Sequence, residues 1–136
     1  MPFQDVNLLP VLVAGVVAYA IGALWYSPVL FGNKWMALMG LKKESMPKEG
    51  MGKSYAAGFV ATLVMSYVLA LFILATEMAG WTGGAFVGFW VWLGFVATVT
   101  FGSILWENKP FSLFALNNGH YLVVFMVMGA ILGGWM

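Results

Sequence analysis

The sequence predicts an all-α fold: an integral membrane four-helix bundle that forms a single domain over residues 1–136. Three observations lead to this prediction. Of the 136 residues, 62% are hydrophobic and 8% are charged, whereas soluble domains are about half apolar and a quarter charged. Four apolar stretches each match the ~20 helical residues that cross a bilayer. Small residues recur at every fourth position along these stretches, a spacing that lets membrane helices pack closely.

The composition also excludes several classes of function. A soluble fold of this length would leave much of its apolar surface in water, so we expect the lipid bilayer to be its partner. Six basic residues against five acidic ones give no basic surface for nucleic acid. Without cysteine, a single histidine is a poor metal ligand set. No Ser-His-Asp, phosphate-loop or dinucleotide pattern is present, so an enzyme has almost no support and we expect no cofactor.

The first predicted span covers residues 6–26. Ala14, Ala18 and Gly22 place small side chains on one face of this helix, where another backbone can approach closely. The helix should end at Ser27, because Pro28 disfavours helical angles in the residue before it.

The connection between the first two spans sets the predicted topology. Residues 29–39 are rich in apolar and aromatic side chains and predict a short helix in the membrane surface, followed by a polar loop over residues 40–53. Five of the six lysines lie in this connection, and lysine-rich connections are usually cytoplasmic. We therefore expect residues 27–54 and 106–112 in the cytoplasm and both termini outside.

The remaining spans are predicted over residues 55–76, 85–105 and 113–134. Each carries small or hydroxyl residues at four-residue spacing, namely Gly58, Thr62 and Ser66, then Gly94, Thr98 and Gly102, then Gly129 and Gly133. Helix packing, within the bundle or between copies, is the expected role of these residues. A substrate path along the hydroxyls of the second span is the less favoured alternative.

Two segments of the chain resemble each other. Residues 24–32 have the sequence Leu-Trp-Tyr-Ser-Pro-Val-Leu-Phe-Gly, and residues 105–115 have Leu-Trp-Glu-Asn-Lys-Pro-Phe-Ser-Leu-Phe-Ala. Each segment follows an odd-numbered span and precedes an even-numbered one, as expected for two parallel two-helix repeats. Chance similarity between two interfacial segments is the alternative, and the sequence leaves both open.

Residues 106–121 hold most of the polar chemistry in the second half of the chain, including the only histidine. Ionisable groups near hydrocarbon are candidates for function. We predict a ligand-binding site formed by Thr100, Ser103, Glu107, Asn117, His120 and Tyr121. The alternative is a structural plug, in which Glu107 pairs with Lys109 and the amides of Asn117 and Asn118 satisfy backbone groups.

The start of the fourth helix determines whether Glu107 and His120 meet. If the helix begins near Ser112, His120 lies about two turns, or ~12 Å, inside the membrane and away from Glu107. If residues 111–116 run along the surface and the helix begins at Asn117, the two side chains reach the same depth. The sequence does not separate these placements.

Three short motifs resemble a known family. They are Trp-Tyr-Ser-Pro at residues 25–28, Phe-Gly-Asn-Lys-Trp at residues 31–35 and Asn-Asn-Gly-His-Tyr at residues 117–121. Together they resemble the small bacterial membrane proteins grouped as domain of unknown function 1761, over essentially the whole chain. The resemblance implies a four-helix protein of the bacterial inner membrane, with no assigned activity and no catalytic residues.

Two functions remain compatible with the sequence. The favoured one is a structural or accessory subunit that forms a homo-oligomer or joins a larger membrane complex, because every span carries a strip of small residues. The alternative is a small-molecule or ion binding or transport module, with a cytoplasm-facing polar site around Glu107 and His120.

Overall fold

The computed structural model describes residues 5–41 and 51–135, and the secondary structure over these residues is all helical. Four of the helices are long and apolar enough to cross a membrane, so the predicted all-α, four-helix membrane fold is confirmed. Lys42, Lys43 and Lys48 of the predicted loop lie outside the described residues. The five helices are α1 (Leu8–Trp25), α2 (Gly32–Met39), α3 (Met51–Thr76), α4 (Gly80–Leu105) and α5 (Phe111–Trp135).

Two helix boundaries bear on the candidate site. The helix α2 begins at Gly32, three residues later than predicted, and Gly40 ends it with a left-handed φ of 72°, a conformation that suits glycine. The helix α5 begins at Phe111, so the chain adopts the first of the two predicted placements. The carbonyl of Pro110 accepts the first amide hydrogen bonds of α5, from Leu113 at 3.1 Å and Phe114 at 3.3 Å.

The helix α5 is the centre of the bundle. It contacts α1, α2, α3 and α4, and it is the most buried of the four long helices. The buried core lies where α5 meets α1 and α3, around Ala14, Leu69, Met128 and Leu132. Within this core, the buried hydroxyl of Ser66 on α3 donates to the carbonyl of Val11 on α1 at 2.9 Å, because a polar group there needs a partner.

The bundle has two distinct ends. At the termini end lie the start of α1, the end of α3, the start of α4 and the end of α5. Here α4 and α5 pack backbone against backbone: a Cβ atom on Gly84 or Gly88 would collide with the carbonyl oxygen of Gly129 or Phe125. Only glycine permits this approach.

At the elbow end lie α2 and the two connections that follow α1 and α4. Towards this end α4 loses its regular geometry, because Trp92–Ala97 forms a π-helical stretch. The hydroxyl of Thr98 donates to the carbonyl of Gly94 at 2.6 Å, and that of Thr100 donates to Val96 at 2.7 Å. π-Helical stretches within α-helices are frequent near functional sites.

Candidate functional site

The two similar connections form different structures. The first elbow, residues 25–32, folds onto α5: the indole of Trp25 donates to the carbonyl of Leu116 at 3.2 Å, and the hydroxyl of Tyr26 donates to Oδ1 of Asn117 at 2.8 Å. Burial raises the pKa of Tyr26, with nearby Tyr121 adding to the effect, so the hydroxyl keeps the proton that it donates.

The second elbow, residues 106–110, faces outward instead. The side chain of Trp106 is 84% exposed, whereas Trp25 is half-buried. Asn108 takes a left-handed φ of 55°, and the amide of Lys109 donates to the carbonyl of Ser103 at 3.0 Å. The internal repeat stays a prediction, since only the first elbow leads into a separate short helix.

A cavity of about 570 Å³, which we name the inner chamber, lies between α1, α3 and α5. Its wall is mostly apolar and includes small residues from α1 and α3, with several aromatic rings and hydroxyls. The polar and aromatic side chains that line it are Tyr19, Tyr26, Ser27, Tyr55, Thr62, His120 and Tyr121.

His120 is the most unusual group in this wall. Both ring nitrogens are buried, and neither has a hydrogen-bond partner among residues 5–41 and 51–135. The ring centre lies 5.1 Å from those of Tyr26 and Tyr121 and 6.1 Å from that of Trp25. Gly22 makes room for the imidazole, because a Cβ atom there would lie 3.1 Å from Nε2.

A second cavity of about 620 Å³, the outer chamber, lies between the second elbow, α4 and the first turns of α5. At one side of it, Nδ2 of Asn118 donates to the hydroxyl of Thr100 at 2.9 Å and to the carbonyl of Phe114 at 3.2 Å. Asn118 is buried, whereas Glu107 and Lys109 are exposed. The outer chamber therefore has exposed charged groups on one side and a buried amide on the other.

The structure brings five of the six predicted ligand-binding residues to the outer chamber and separates the sixth. Those five are Thr100, Ser103, Glu107, Asn117 and Tyr121. His120 lines the inner chamber, and Tyr121 lines both. The cause is the start of α5 at Phe111, because a continuous helix carries His120 inward past the second elbow.

The predicted helix-packing residues occupy varied positions. Ala14, Ala18, Ser66, Gly129 and Gly133 are buried within the bundle. Gly22 and Gly58 contact aromatic groups of the inner chamber, and the hydroxyl of Thr62 donates to the carbonyl of Gly58 at 2.8 Å. On α4, Gly102 lies near Trp106, Thr98 is exposed, and a Cβ atom on Gly94 would have no neighbour within 4 Å in the described chain.

Sequence reasoning missed the three tyrosines that the first half of the chain contributes to the inner chamber. Tyr19, Tyr26 and Tyr55 carry no charge, and aromatic residues near helix ends are expected as membrane-boundary anchors. The available signal is the pairing of glycine with aromatic residues: Gly58 lies against the ring of Tyr19, and Gly22 lies against His120. The sequence predicts Asn118 only as part of the structural plug. Its hydrogen bond to the carbonyl of Phe114 fits that role.

Comparison with known proteins gives a family match. The family model described as "Protein of unknown function (DUF1761)" matches residues 9–133. No curated protein and no solved structure matches the chain. Across the helices and connections described above, no three metal-binding side chains cluster together.

Proposed function

The chain belongs to the DUF1761 family, and we propose that it is a membrane protein that binds a small molecule in the inner chamber. A cavity of about 570 Å³ falls in the range of small-molecule sites, which are mostly apolar with a few placed polar groups. The inner chamber has this character, since apolar wall surrounds one imidazole and several hydroxyls.

The unpartnered imidazole of His120 carries the proposal. A buried polar atom without a hydrogen bond costs about 1–3 kcal/mol, so such groups in folded proteins need an explanation. The aromatic rings around His120 hold the imidazole in the chamber wall without satisfying its nitrogens. A ligand that displaces the side chains covering these nitrogens and hydrogen-bonds to one of them would recover this energy on binding.

A single introduced thiol can test this proposal, because the chain has no cysteine. The Ser27→Cys variant, reconstituted in lipid nanodiscs, places a thiol in the chamber wall, and N-ethylmaleimide modifies it. Indole, a small apolar probe with one hydrogen-bonding group, should slow this modification in a saturable way. The matched control is Lys34→Cys, an exposed position in α2, where indole should change nothing.

The role of His120 is tested in the same background. His120→Phe keeps an aromatic ring and removes both nitrogens, so protection of Ser27→Cys by indole should weaken about three- to tenfold, the loss of one hydrogen bond. Equal protection of Ser27→Cys and Lys34→Cys, or no protection of either, would overturn the proposed site.

Self-association is the second candidate function, and the outer face of α4 supports it. A Cβ atom on Gly94 would have open space around it within the described ranges, and Thr98 and Val99 nearby are exposed. Small residues on a lipid-facing surface suit close contact with another helix. Thr98→Cys should form a disulfide-linked dimer under mild oxidation, whereas Val60→Cys on the exposed face of α3 should not. A monomeric mass in nanodiscs and no cross-link would contradict it.

We also propose that the elbow end faces the cytoplasm, since Lys34, Lys53 and Lys109 lie at this end. Lys34→Cys and Lys109→Cys should resist a membrane-impermeant maleimide in intact bacterial cells, while Glu77→Cys at the other end should react. The reverse labelling pattern would invert the orientation.

A further inference from the structure

We propose that the inner chamber selects a neutral, apolar molecule that donates a hydrogen bond, such as an aromatic N–H compound or a phenol. This inference rests on the proposed function and adds the chemical class of the ligand. Three properties of the wall support it: most of its hydroxyl protons are already used, it carries no fixed charge, and His120 keeps a free acceptor.

Most hydroxyls of the wall donate their proton to another part of the protein. Tyr19 donates to the carbonyl of Tyr55 at 2.6 Å, and Ser27 donates to that of Leu24 at 2.6 Å. Thr62 and Tyr26 likewise donate to Gly58 and to Asn117, each at 2.8 Å. A hydroxyl has one proton and two lone pairs. These four groups can therefore accept a hydrogen bond from a ligand but cannot donate one without breaking a bond within the protein.

His120 adds one further acceptor and one N–H donor to the chamber. A neutral imidazole has one N–H donor and one acceptor nitrogen, and both nitrogens here lack a partner among the described residues. The other hydroxyls in the wall belong to Tyr55, which is 60% exposed, and to Tyr121, which also lines the outer chamber. Acceptors thus outnumber donors in the wall, even when the N–H of His120 and the hydroxyls of Tyr55 and Tyr121 are counted as donors.

The ligand should be uncharged, because no Asp, Glu, Lys or Arg of the described chain lines the inner chamber. Moving an isolated charge away from water is very costly without an opposite charge. Glu107 and Lys109 line the outer chamber instead. The rings of Tyr19, Tyr26 and Tyr121 provide flat apolar surface, which suits an aromatic body.

A matched pair of probes tests this inference with His120 in place. Indole and benzofuran have nearly the same shape, but indole donates through N–H whereas benzofuran has only an acceptor oxygen. Both probes are titrated against the maleimide reaction of Ser27→Cys in nanodiscs, at free concentrations corrected with empty nanodiscs. Partition alone favours benzofuran, because indole must give up a hydrogen bond to water when it enters hydrocarbon.

We expect indole to protect the thiol at about three- to tenfold lower concentration than benzofuran, the value of one hydrogen bond. His120→Phe should bring the two probes to within about twofold, since the free acceptor is then gone. Equal protection by the two probes, or stronger protection by benzofuran, overturns the ligand class and leaves the chamber as a binding site. Protection by neither probe overturns the proposed function itself.

Discussion

The two ends of the bundle pack their helices in opposite ways. At the termini end, α4 and α5 approach so closely that a Cβ atom on Gly84 or Gly129 would meet the facing backbone. At the elbow end, the helices spread around two chambers of about 570 and 620 Å³. The contacts between α4 and α5 there pass through side chains, such as the Thr100 and Asn118 pair.

This contrast separates the end of the bundle that close packing stabilises from the end that holds the two chambers. Close backbone packing supplies dispersion contacts that membrane helices need, because lipid provides no hydrophobic drive to associate. Cavities forfeit such contacts and leave polar atoms unsatisfied, as at His120. A bundle held firmly at one end can keep an open site at the other, which is how functional sites commonly depart from optimal packing.

The largest expected effect on stability comes from disrupting the close packing at the termini end. In Gly129→Ala the new methyl group meets the carbonyl of Gly84, so α4 and α5 must separate, with a loss of about 1–3 kcal/mol in the free energy of unfolding. Unfolding in mixed detergent micelles, followed by circular dichroism, measures the loss. Gly94→Ala is the control, since no described atom lies within 4 Å of its Cβ position. Equal unfolding of the two variants would contradict close packing.

The contact between Thr100 and Asn118 tests whether side-chain hydrogen bonds also stabilise the elbow end. The buried amide of Asn118 donates to Thr100 at 2.9 Å. A double-mutant cycle of Thr100→Val and Asn118→Leu in the same unfolding assay should give a coupling energy of about 0.5–1.7 kcal/mol, the range for such bonds between membrane helices. A coupling energy near zero would mean that the side chains are merely adjacent.

Tyr26→Phe should loosen the first elbow without unfolding the bundle. The variant loses the 2.8 Å bond to Asn117, which is worth about 1 kcal/mol. Amide hydrogen exchange over residues 24–32 should therefore accelerate about fivefold, including the amide of Gly32 that donates to Ser27. Tyr67→Phe, on α3 beside the core, is the matched control and should leave this exchange unchanged. Similar exchange in both variants would show that the bond does not hold the elbow.

The fold could be predicted well because membrane helices are recognisable from local composition. The apolar stretches, Pro28 and the small-residue strips are all properties of neighbouring residues, and the four long helices follow them. The start of α5 is open at the level of sequence, because Phe111 to Leu116 suits both an interfacial segment and a first helical turn. In the structure α5 begins at Phe111, and the carbonyl of Pro110 accepts its first amide hydrogen bonds.

The candidate site is harder to predict because it depends on which helices meet. Glu107 and His120 are polar and close in sequence, which favours grouping them in one site, yet they line different chambers. Apart from Tyr121, the groups that pack against His120 come from α1 and the first elbow, almost a hundred residues earlier. A tyrosine such as Tyr26 gives no sequence signal of a polar site. Helix pairing across the bundle is a non-local property, and neither composition nor spacing encodes it directly.

The smallest expected effect is at Glu107, and it tests whether the two chambers act separately. The carboxylate is exposed, and surface charges away from special contacts change stability by about 0.5 kcal/mol or less. At each pH between 6 and 8, Glu107→Gln should therefore have the same free energy of unfolding as the parent protein. In the Ser27→Cys background it should also show the same protection by indole. A change in the pH dependence of protection would mean that Glu107 influences His120 through Tyr121, which lines both chambers. The two chambers would then form one coupled site, and the charge in the outer chamber would control the binding of a ligand at His120.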